Sequence, residues 1–120
     1  MPLLELTEEE LVVNLSGWEA LAAFQGSIRI PLAHVRGATE DEGFRGGELG
    51  LRGPGTGIPG MIAAGTYHKS GDSQFAFVTR GSHPVVIELT GEKWDRLVLG
   101  VDDPRRTAAE INAALAAAER

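Results

Sequence analysis

Four apolar stretches, Met61–Lys69, Gln74–Arg80, Pro84–Thr90 and Arg96–Val101, follow one another with very short links between the first three. Ser70-Gly71 and Gly81-Ser82 both read as two-residue hairpin turns, the second with glycine at the first central position, as a type II′ turn requires. Parallel neighbours need a crossover of a dozen residues or more, and there is no room for one here. The stretch therefore predicts an antiparallel meander, and with it a mainly β domain of the barrel or sandwich type.

That hairpin register makes specific pairs. His68 faces Ser73, His83 faces Arg80, and Glu88 lies opposite Phe75. One face of the meander then carries Ala63, Gly65, Tyr67, Ala76, Val78, Val85, Ile87 and Leu89, and reads as the core face. The other carries Ile62, Ala64, Thr66, Phe75, Phe77, Val86 and Glu88 and is too apolar to stand bare in water. Either the N-terminal elements cover it, or it is a binding or self-association face built on Phe75, Phe77, Val86 and Glu88.

Upstream, residues 10–15 read as a strand, with 3–6 as a short partner and Thr7-Glu8-Glu9 as the turn between them. Ser16 is placed to cap a short helix over residues 18–24. Residues 27–30 and 34–39 read as further strands. Gly43 to Gly60 is a long glycine- and proline-rich connection of a length that is often functional. At the other end Asp103 is a good N-cap, Pro104 suits the first helical position, and Ala108, Ile111, Leu115 and Ala118 make one apolar stripe of a C-terminal helix. Trp94 is expected at the end of the last strand, packed on that helix.

The glycine-rich connection contains Gly55-Thr56-Gly57-Ile58-Pro59-Gly60, the pattern G-x-G-x-x-G. Phosphate binding by this pattern needs a helix to follow, whose N-terminal amides face the ligand. Here strand sequence follows, and no Lys-Ser or Lys-Thr closes a Walker loop. The stretch reads as a turn, with Arg52, Thr56, Gly57 and Ile58 as a candidate ligand or partner rim.

Charge narrows the partners. The net charge is −6, all of it within residues 1–48, where nine acids face three bases. No basic stripe of the kind that binds nucleic acid or anionic lipid is visible. Cysteine is absent, which removes disulfides and thiolate chemistry. The histidines, His34, His68 and His83, have no metal-site spacing. No G-x-S-x-G elbow or paired acid and base occurs, so no catalytic, metal or cofactor site is expected. No apolar run reaches membrane-spanning length and no signal segment opens the chain, so a soluble cytoplasmic protein is expected.

Ile30-Pro31-Leu32-Ala33-His34-Val35-Arg36, Gly53 to Gly60, Glu88-Leu89-Thr90-Gly91, Trp94-Asp95-Arg96-Leu97 and Asp102-Asp103-Pro104 together resemble a group of small actinobacterial proteins. These are similar in layout to bacterial pleckstrin-homology-like domains. The resemblance implies one domain over residues 1–120: a bent antiparallel barrel or sandwich of about seven strands, capped by a C-terminal helix. The short early helix and the Gly43–Gly60 excursion depart from that template. Self-association is a further implication, since some relatives of the fold assemble. Phosphoinositide binding is not carried over, because it needs basic residues where this chain is acidic. The expected function is a non-enzymatic binding or scaffold domain acting on a protein partner or on its own copies. The alternative is a flavin-type split-barrel enzyme or cofactor carrier using Gly53–Gly60.

Overall fold

The computed structural model describes residues 3–15, 27–40, 61–69, 71–79 and 81–118. Within them lie eight strands and one α-helix. The strands are β1 (Leu3–Leu6), β2 (Glu10–Asn14), β3 (Ile28–Pro31), β4 (Val35–Glu40), β5 (Met61–Lys69), β6 (Asp72–Thr79), β7 (His83–Leu89) and β8 (Arg96–Val101). A 3-10 turn, Leu32–His34, joins β3 to β4, and the helix α1 spans Pro104–Ala118.

The strands form two sheets, β1-β2-β3 and β4-β7-β8-β6-β5. The first is antiparallel and starts from a turn that Thr7 builds: its Oγ1 accepts from Glu10 N–H at 3.0 Å, and its own N–H donates to Glu10 O at 2.9 Å. The second sheet is not the expected meander. The β5–β6 hairpin has the anticipated register, with His68 opposite Ser73 and Gly71 at φ 84° in the turn. Beyond β6 the order changes. Strand β8 lies between β6 and β7, parallel to β6 and antiparallel to β7. No closed barrel forms among the described residues.

The turn after β6 also differs from the expected one. Ser82 N–H donates to Thr79 O at 3.2 Å, closing a four-residue turn with Gly81 at its third position and φ 86°. The expected II′ turn has its positive φ at the second position instead, so this is a different turn. The turn also sits one residue away from the expected one, and a one-residue slip turns every side chain of β7 to the opposite face. Hence His83 pairs with Val101 instead of Arg80, and Glu88 pairs with Arg96 and Gly37 instead of Phe75.

The same slip reassigns the core. Phe75 and Phe77 share a face with Val85, Ile87, Leu89, Leu97 and Leu99, and both are 0% exposed. Leu11, Val13, Ile28 and Ile30 of the smaller sheet and Ala108 and Ile111 of α1 belong to the same cluster. The N-terminal strands thus cover the face that carries the two phenylalanines. Tyr67, Ala76, Val78 and Val98, with Val86 against them, make a second, smaller cluster on the opposite face. Trp94 is buried, but its partners are the Phe75 ring, centroids 5.4 Å apart, and Thr66, whose Oγ1 accepts from Nε1–H at 3.1 Å.

Helix α1 begins as its sequence requires. Asp103 Oδ1 accepts from Arg106 N–H at 3.1 Å, a capping bond to the third helical residue, and Pro104 stands at the first. The helix runs along the free edge of β4. There the Asn112 side chain accepts from Ala38 N–H at 3.0 Å and donates to Ala38 O at 2.9 Å. One amide thereby satisfies both groups that an edge residue would otherwise leave to solvent or to another strand.

Candidate functional site

Of the residues singled out in the sequence for a binding site, the four that the structure describes, Phe75, Phe77, Val86 and Glu88, do not share one surface. Phe75 and Phe77 are interior. Val86 is half-buried on the opposite face of the sheet, and Glu88, on that same face, is exposed. Arg52, Thr56, Gly57 and Ile58, and the expected helix over 18–24, lie outside the described residues. Glu88 does line a shallow hollow of about 500 Å³ beside β4, with Arg36, Gly37, Thr39 and Asn112.

Of the histidines, His68 and His83 are exposed strand residues. His34 is tied to the β7–β8 loop. Its Nδ1 is hydrogen-bonded to Glu92 Oε2, and its backbone carbonyl accepts from Thr90 N–H at 2.9 Å. These contacts tie the loop that carries Trp94 to the 3-10 turn. Among the described residues no three His, Asp or Glu side chains are grouped to hold a metal ion.

A recess lies between β1 and α1. A cleft of about 560 Å³ is lined by Leu3, Leu4 and Leu6 on one wall and by Thr107, Glu110 and Ile111 on the other, with Val101 and Asp102 at one end. A second, of about 630 Å³, continues from Leu6 past Leu32 to Ala114, Ala117 and Ala118, with Thr7 and Glu8 at its far end. Leu6 lines both, so the two recesses adjoin at that side chain and follow one another along the helix as a trough in two parts.

Strand geometry tells where the trough opens. Leu4 and Leu6 point toward the core with their partners Val13 and Leu11, whereas Leu3 belongs to the outer face and is 61% exposed. Successive strand residues point to opposite faces. A recess lined by both Leu3 and Leu4 therefore lies at the strand's edge. Strand β1 is the edge of its sheet, so that side offers backbone groups with no strand partner among the described residues.

The helix wall has its own periodicity. Thr107, Glu110, Ile111, Ala114, Ala117 and Ala118 fall at i, i+3, i+4, i+7, i+10 and i+11, one face of a helix. Past Ile111 that face carries only alanine, and with no larger side chain to reach β1 the trough stays open. Ala118, expected in the core stripe, is exposed and lines this recess, while Ala108 and Ile111 are buried. The sequence signals were present in the leucines of β1 and the alanine-only end of α1, but the pairing of two segments about a hundred residues apart has no local signature.

Comparison with known proteins gave no match: no family model, no curated protein and no solved structure matches this chain. Among the described residues no helix is long and apolar enough to cross a membrane.

Proposed function

We propose that this protein is a non-enzymatic binding module that takes an extended segment of a partner protein into the trough between β1 and α1. The observation that carries this reading is the trough itself, lined by the leucines of β1 and the alanines of α1 with polar groups among them, and open on a strand edge that has no strand partner among the described residues. A segment laid there adds a strand to β1 through main-chain hydrogen bonds and buries alternate side chains against Leu6 and the alanines of α1. The reach is suitable: four residues of β1 extend about 13 Å, and the helix from Thr107 to Ala118 rises about 17 Å. That corresponds to four to six residues of extended chain.

The two-sheet layout with its C-terminal helix is in keeping with a pleckstrin-homology-like domain, while the parallel β6–β8 pair and the unclosed sheets depart from an antiparallel barrel. The proposal therefore rests on the trough and not on the resemblance. The flavin-type alternative depends on the Gly53–Gly60 stretch, and no observation favours it.

The test is selection from a displayed library of random ten-residue peptides. Bound sequences are counter-screened on the Leu3→Asp/Ala117→Glu variant, which alters two exposed positions and leaves the core intact. Peptides that hold the wild-type protein and release the variant support the reading. A selection that is empty, or that yields only peptides indifferent to both substitutions, removes it.

A further inference from the structure

The charges around the trough say which segment it takes. Glu8 stands at one end and Asp102 at the other, with Glu110 on the helix wall between them. Glu110 is held by Arg106 at 3.0 Å. Glu8 and Asp102 have no ion-pair partner among the described residues. Among the described residues no cationic side chain lines either part of the trough. The trough thus has a carboxylate at each end, Glu8 and Asp102, neither of which has a countercharge among the described residues.

From this we infer that the occupant, on the reading above, is an extended segment with an apolar middle and a lysine or arginine at each end. The spacing follows from the geometry. The carboxylates bracket the helix face from Thr107 to Ala118, roughly 17 Å, and an extended chain covers that distance in about five residues. Two cations five or so positions apart, with leucine- or valine-like side chains between them, meet both rims while the apolar residues fill the floor.

The same charges decide against the other occupants. A second copy seated edge to edge on β1 brings Glu5 and Glu8 of each chain toward those of the other, in the part of the sequence that holds the whole net charge. Like charges set against each other at an interface are costly. A phosphate-bearing polymer or lipid surface meets the same repulsion.

The experiment uses the full chain and three synthetic peptides with one leucine- and valine-rich centre, differing only in having lysine, glutamine or glutamate at both ends. Binding is read by fluorescence anisotropy at low and moderate salt. The lysine-ended peptide is expected to bind roughly fivefold tighter than the glutamine-ended one at low salt, as two exposed ion pairs allow. Screening narrows that gap at moderate salt. The glutamate-ended peptide binds most weakly, and Glu8→Lys/Asp102→Lys reverses the ranking. Methylation of alternate backbone amides of the lysine-ended peptide abolishes its binding if it adds as a strand. Equal binding of the three peptides overturns the inference and leaves the trough reading standing. No binding by the lysine-ended peptide overturns it also, and an empty library selection then removes the reading beneath it. Light scattering that shows a dimer broken by Leu3→Asp overturns it in favour of a second copy.

Discussion

Gly100→Ala is expected to destabilise the fold because of the way β8 enters the sheet. A Cβ at position 100 would stand 2.0 Å from Ser82 Oγ, 2.9 Å from Ser82 Cβ and 3.2 Å from Val78 Cα. Rotating Ser82 relieves the first contact but not the other two, so the backbone of the Thr79–Ser82 turn must move. Overpacking of this kind costs about 1–3 kcal/mol. Ser82 Oγ also leaves its bonds to Thr79 N–H and Thr79 O, 3.2 and 2.7 Å long, at roughly 1 kcal/mol each. The smaller conformational freedom of alanine in the unfolded chain offsets about 0.4–1 kcal/mol. The net is roughly 2–4 kcal/mol, or about a 10 °C lower Tm for a domain of this size. Urea unfolding followed by circular dichroism measures it. In a Ser82→Gly background, which removes both short Ser82 contacts, the same alanine should cost less than about 1 kcal/mol. A Gly100→Ala protein as stable as the wild type, or an undiminished cost in the Ser82→Gly background, would refute the placement of β8 beside that turn.

Phe75→Ser and Phe77→Ser should each cost more than about 3 kcal/mol and abolish cooperative unfolding, since both rings are fully buried; a folded protein with either serine would show that these rings are not core. Asn112→Ala should cost about 1–3 kcal/mol by leaving both groups of Ala38 without their partner. Asn112→Asp should be no better, because a carboxylate would face the Ala38 carbonyl that the amide now donates to; a fully stable Asp variant in chemical denaturation would contradict the assigned bond.

Much of the secondary structure was legible. Strands at 3–6, 61–69 and 96–101, the Thr7 turn and the Asp103 cap follow from alternation, turn residues and capping chemistry, all of them local. The β5–β6 register was also readable, because Ser70-Gly71 leaves it few choices. What failed was the step past Gly81. A glycine with positive φ serves the third position of a turn as well as the second, and the bonds that choose between them depend on Ser82 and on a strand fourteen residues further along the chain. Phe75 and Phe77 were correctly placed on one face with each other. Which face the N-terminal sheet covers was hidden, since Tyr67, Ala76 and Val78 make the opposite face almost as apolar. The trough was invisible for a related reason: its walls come from residues 3–8 and 101–118, and only the folded chain brings them together.

The insertion of β8 bears on the order in which this molecule can assemble. A growing chain that has released β6 and β7 cannot finish the larger sheet, because the strand that joins them emerges after both. Until Val101 is free, the flanks of β6 and β7 that β8 will occupy are open, with Phe75, Phe77, Val85 and Ile87 beside them. Synthesis stalled in the loop after Leu89 would therefore yield a chain with two sticky strand flanks and no central strand to fill them. A separate peptide spanning Arg96–Val101, supplied to such a stalled chain, has the geometry to complete the sheet and suppress its aggregation.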